Sequence, residues 1–159
     1  MRHPLSRIMT AILVAALVIL SGCDLASSRE EGALTGYWKS VHGDGFEITG
    51  NLFSGYHYTQ FDDADKSISF AGTVANEPDF DATSGYIIIR ITDTGNWGKT
   101  EGAYLGIHWE NLSDSLVAAS SAYKAGSAYN NGIESLSEAL AEYTVKNGYF
   151  GYYGDYQKQ

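Results

Sequence analysis

The chain has 159 residues, 10 Lys and Arg against 19 Asp and Glu (net −9), one cysteine, and 21 aromatics as 12 Tyr, 6 Phe and 3 Trp. That length makes one globular domain, large enough for a core without the disulfides that a single cysteine cannot form within the chain. The acidity leaves no phosphate-neutralising stripe and so excludes nucleic acid as a partner, while 13% aromatics and 18 glycines exclude a disordered chain and a helical bundle.

Residues Met1–Arg7 carry Arg2 and Arg7 and no acid, and Ile8–Leu20 follows as an uncharged run in which only Thr10 is polar. A helix over that run rises ~20 Å, short of the ~30 Å hydrocarbon core. A basic start, a short apolar run and then small residues read as a secretory signal peptide; a short transmembrane anchor is the alternative. Leu20-Ser21-Gly22-Cys23 resembles the lipobox of bacterial lipoprotein precursors, in which small residues precede an invariant cysteine. The resemblance implies cleavage between Gly22 and Cys23, diacylglycerol on the Cys23 thiol, and often a further acyl chain such as palmitate on the new amine. A stray cysteine ending an ordinary signal peptide is the alternative. Stable anchoring takes two acyl chains, which such a cysteine supplies.

Loss of residues 1–22 removes two arginines and no acid, leaving 8 basic and 19 acidic side chains and a net −11. An anionic bilayer surface offers that chain no attraction, so the lipid alone would hold it. The outer membrane or cell surface is the expected destination. Asp24 resembles the inner-membrane retention signal of enteric bacteria, a rule other lineages do not follow, so the leaflet stays open.

Asp24–Ala33 is small and polar without a period, a flexible tether. The chain therefore divides into a leader (1–22), a lipidated cysteine with its tether (23–33) and one folded domain (34–159). Strands are expected at Leu34–Val41, Phe46–Thr49, Phe53–Phe61, Ser67–Val74, Gly85–Thr92, Ala103–Trp109 and Leu116–Lys124, with turns at His42–Gly45, Gly50–Asn51 and Asp62–Asp65. Ala75–Ser84 is the longest loop, and Asp93–Gly102 is a loop carrying Trp97. Ser135-Leu-Ser-Glu138 is a capping box opening one helix, Ser135–Tyr143, which Asn147–Gly148 stops. Tyr149–Tyr153 is expected as the last strand. Short strands with tight connections and one helix predict an all-β fold, an antiparallel up-and-down barrel of about eight strands, with a sandwich as the alternative.

Gly36-Tyr37-Trp38 at the start of the first strand resembles the lipocalin signature, in which the tryptophan plugs the closed end of an eight-stranded barrel. The chain is similar to the small lipocalin-like lipoproteins of bacteria, including spirochaetal surface lipoproteins. It departs from full-length lipocalins in its short length and in a helix that precedes the last strand. Gly36 and Trp38 are then the barrel-closing pair; the alternative is that Trp38 is a core aromatic of another barrel. In Ala103–Trp109, Ala103, Leu105, Ile107 and Trp109 share the core face, and Tyr104, Gly106 and His108 the other.

The resemblance implies a small apolar or amphipathic ligand in a barrel cavity, with Tyr56, Tyr58, Tyr104 and His108 as the candidate pocket residues; cross-strand packing is the alternative for most of the strand tyrosines. The alternative is a filled barrel acting as an interaction scaffold toward an envelope or host protein, with Trp97 and Phe80 as loop aromatics for contact. No enzyme, cofactor or metal site is expected. His42, His57 and His108 lack close ligand spacing, and no Gly-x-Ser-x-Gly elbow occurs. Read from Asp63, an EF-hand loop would need Gly where Ile68 stands and Glu where Val74 stands, so the acidic cluster Asp62, Asp63 and Asp65 reads as solvated turn carboxylates. Glu47, Glu101 and Glu110 read as exposed strand charges as readily as acid–base groups.

Overall fold

The described residues form eight strands: β1 (Gly36–Ser40), β2 (Asp44–Thr49), β3 (Leu52–Tyr58), β4 (Lys66–Val74), β5 (Gly85–Asp93), β6 (Tyr104–Glu110), β7 (Leu116–Ser121) and β8 (Gly154–Lys158). The computed structural model describes residues 32–59 and 65–159. The leader, Leu20–Cys23, most of the tether and Asp62–Asp63 lie outside the described residues. Each strand pairs antiparallel with the next and β8 pairs with β1, so the sheet is a closed eight-stranded barrel with up-and-down order. Glu31–Gln159 forms one compact unit with its own core.

Register explains how the interior is filled. Trp38 lies opposite Phe46, Phe46 opposite Gly55, and Gly55 opposite Phe70, so three rings and one glycine cross four strands on the inner face. Gly55 leaves the space into which the rings of Phe53 and Phe70 fold; a Cβ there would already touch both at 3.5 Å. The result is a ladder of rings. Trp38 stacks on Phe46 at 6.2 Å, Phe46 on Phe53 at 6.0 Å, Phe53 on Phe70 at 5.4 Å, and Phe70 meets Trp97 at 5.8 Å. Ile87, Ile89, Ile91, Leu105, Ile107 and Trp109 fill the remaining inner face.

A second, smaller core lies on the outside of β5 and β6. The helix α1 (Leu136–Glu142) packs there, with Ala139 fully buried and Tyr143 against Gly106, where a Cβ would sit 2.8 Å from that of Tyr143. Ser135 caps α1 by accepting from the Glu138 amide at 3.4 Å. The reciprocal half of the expected capping box is absent: Glu138 instead accepts from the Tyr129 hydroxyl at 2.7 Å. The Asn147 amide donates to the Glu142 carbonyl at 2.9 Å and so satisfies the end of the helix.

Two expectations need correction. Tyr149–Tyr153 is not the last strand; Gly154–Lys158 is. Tyr149 packs edge-on against Tyr143 at 5.2 Å and Phe150 against His108 at 5.5 Å, so this aromatic segment joins the outer core instead of the sheet. Asp44–Gly45 is not the centre of a turn but the start of β2, and Gly43, with φ +88°, makes the turn.

Candidate functional site at the barrel mouth

The barrel has two unlike ends. At the first, the chain enters through Gly32–Thr35, and the Leu34 amide donates to the Phe80 carbonyl at 3.0 Å. Trp38 is fully buried just inside, its Nε1 donating to the Leu34 carbonyl at 2.8 Å. Lys158 crosses the same end, with Nζ 5.3 Å from the Trp38 ring centroid and donating to the Ala33 carbonyl at 3.0 Å. Gly36 is needed for that path: its φ is +103°, and a Cβ would press on Lys158 Cε at 3.2 Å. Gly36 and Trp38 thus form a plug with a cation over the ring. Phe80 is buried at this end and is not the exposed contact aromatic expected of it.

The lumen above the plug is nearly full. Its residual space is about 40 Å³. Ser69 borders it from a bulge in β4: Gly55 pairs with Phe70 and Tyr56 with Ile68, so Ser69 is unopposed, and its Oγ is buried with no protein hydrogen-bond partner. Such a space suits water and is far below the ~300 Å³ at which small-molecule pockets begin.

The second end is the mouth. There the β5–β6 connection, the residues after β7 and those before β8 enclose a groove of about 690 Å³. Trp97, Tyr123, Tyr152, Tyr153 and Tyr156 supply rings, and Lys99 and Asp44 supply charge. Trp97 sits in a short 3₁₀ turn, Gly95–Trp97, and stays 45% exposed while capping the ring ladder. Lys99 donates to the Asn130 carbonyl at 2.7 Å and lies 5.7 Å from the Trp97 centroid; burial lowers its pKa from the ordinary lysine value. Asp44 bonds Ser40 through one oxygen and accepts from the Tyr156 hydroxyl at 2.6 Å through the other. Burial, and then Asp44, push the Tyr156 pKa far upward, so this phenol remains a donor.

Of the four expected pocket residues, Tyr56 alone is among those lining the residual space, and Tyr58, Tyr104 and His108 line neither it nor the groove. Tyr56 borders the residual space, but its hydroxyl donates to Glu47 at 3.1 Å and its ring meets Tyr37 edge-on at 6.0 Å. Tyr58 is buried over Gly45, beneath the Lys39 ammonium at 4.6 Å. Tyr104 and His108 lie on the outer face of β6. His108 is buried between Tyr86 and Phe150 and shares a 2.7 Å hydrogen bond with the Tyr153 hydroxyl. Burial lowers its pKa, with Glu110 opposing. Among the described residues no three His, Cys, Asp or Glu side chains converge as a metal site.

Compared with protein-family models, curated proteins and solved structures, the chain has no match. Fold and site define the class instead: the described residues form a closed, lipocalin-like antiparallel barrel with one short α-helix, plugged at one end, nearly solid within, and grooved at its mouth.

Proposed function

We propose that this is an exported envelope lipoprotein, anchored through acylated Cys23, whose barrel takes a small amphipathic ligand at its mouth instead of in its lumen. The contrast between about 40 Å³ inside and about 690 Å³ at the mouth carries the reading. The chain enters the barrel at the plugged end, opposite the mouth. Apolar rings point inward while Lys39, Glu47 and Arg90 point outward, the reverse of a membrane-spanning barrel.

A second reading, contact with an envelope or host protein, draws on the same mouth. Trp97, Tyr123 and Tyr152 are 45%, 49% and 75% exposed, a cluster of the kind that anchors protein interfaces.

Detergent phase partitioning of the full chain, expressed in bacteria supplied with a palmitate analogue, tests the anchor. Wild type is expected in the detergent phase carrying label, and Cys23→Ala in the aqueous phase or unprocessed, without label. Absence of label from wild type, or equal label on both proteins, would overturn the anchor.

A further inference from the structure

We propose that the mouth groove is a site for a flat, ring-bearing anion, stacked on the groove's aromatic walls with its charge on the Lys99 ammonium. This rests on the mouth being the binding face and deepens that reading by naming the ligand's chemistry. Size comes first: about 690 Å³ lies within the range of small-molecule sites. Shape follows from the walls. Trp97 is tilted at 41° on Phe70 and Tyr123 meets Tyr152 edge-on at 5.9 Å, and all three groove-lining rings Trp97, Tyr123 and Tyr152 keep much of their surface exposed. Rings of this kind hold flat ligands with little loss of side-chain freedom.

Charge then selects the sign. Lys99 is the one cation among the described groove-lining residues. One of its three N–H groups is spent on Asn130, and two remain for a ligand. The groove's carboxylate, Asp44, already has both oxygens engaged by Ser40 and Tyr156, so it offers a ligand cation little. Because the rest of the chain is strongly acidic, an anion gains nothing from the overall field and must be read by a local cation. Lys99 is also held in place by Asn130 and Trp97, which lowers the ordering cost of binding. Its lowered pKa agrees, since an under-solvated ammonium gains more from an incoming anion than an exposed one.

Two fluorescent probes of matched shape test the proposal on the barrel Glu31–Gln159: 8-anilinonaphthalene-1-sulfonate, a flat anion, and N-phenyl-1-naphthylamine, its neutral counterpart. Wild type is expected to bind both. Lys99→Met should weaken the sulfonate about tenfold or more, the scale of a charge-assisted hydrogen bond, and the amine less than about twofold. Lys99→Arg should retain the sulfonate, and Tyr152→Ala, at a 75% exposed position, should weaken both probes. Rising salt should weaken only the sulfonate, an arm that needs no variant. Near-UV circular dichroism keeps folded binding distinct from binding to a loosened chain. If wild type binds both probes but Lys99→Met and salt leave the sulfonate unchanged, or weaken both probes equally, charge reading is overturned while the mouth remains a binding face. If wild type binds neither, both readings fall.

Discussion

Phe53→Ala tests whether the lumen is a packed solid. Phe53 is 3% exposed at the middle of the ring ladder, between Phe46 at 6.0 Å and Phe70 at 5.4 Å. Deleting its ring forfeits about 2 kcal/mol of transfer free energy. It also leaves a cavity on the order of 100 Å³, which at ~24 cal/mol per Å³ costs about 2 kcal/mol more. Gly55 beneath the ring has no side chain to fill the gap, so little collapse is expected. The loss of about 4 kcal/mol is a large share of a typical domain's 5–15 kcal/mol. Urea unfolding of Glu31–Gln159 measures it, with Tyr152→Ala as the surface control, within about 0.5 kcal/mol of wild type. The new space should also admit benzene, as engineered apolar cavities of ~150 Å³ do, raising the Tm of the variant and not of wild type. A cost below about 1.5 kcal/mol, or benzene stabilising both proteins equally, would refute the solid lumen.

Gly36→Ala should cost about 1–3 kcal/mol, because an alanine is strained at φ +103° and its Cβ displaces Lys158 from the plug; urea midpoints beside those of Lys158→Met separate the strain from the lost cation. The His108 pKa is lowered in the fold by burial, so on acidification the unfolded chain takes up the proton first. Stability from this group is therefore full above the ordinary histidine value of about 6.5, falls as pH drops through it, and levels off once the folded imidazole also protonates. His108→Gln should flatten that part of the profile in urea midpoints taken between pH 7.5 and 5. An unchanged slope would remove His108 as its source.

Strands β2 and β3 are legible by their alternation and β5 by its β-branched run Ile87–Ile91 between turns, while β6 and β7 are apolar along much of their length because both of their faces are covered. β8 is not legible: Gly-Asp-Tyr-Gln-Lys has one apolar inward residue, Tyr156, and becomes a strand because β1 and β7 both offer it an edge. Tyr149–Tyr153 has strand composition, but its rings are recruited to the outer core. Alternation separates Tyr104 and His108 from Leu105 and Ile107 correctly; it carries no information about which face is lumen. Composition marks Tyr56, Tyr58, Tyr104 and His108 as strand aromatics but does not say whether they line a cavity or pack across strands, and the structure packs Tyr58 and His108 against neighbouring side chains. Trp97 was legible as a loop aromatic. Lys99 was not, since its role arises only when the loop folds over the mouth beside Asn130.

The contacts that close the barrel are long in sequence, and this bears on the order in which it forms. Tyr156 reaches Asp44 across 112 residues and Lys158 reaches Ala33 across 125, whereas the β2–β3 hairpin closes within a few. Loop closure across such separations is the slow event in folding, so the hairpins assemble first and the β1–β8 seam last. Until then β1 and the free side of the growing sheet present unpaired backbone to other chains. The seam has only three residue pairs, with Trp38 and Lys158 at one end and Ser40 and Tyr156 at the other. Denaturation should begin by unzipping there, which couples the plug and the mouth carboxylate kinetically although they lie at opposite ends of the seam.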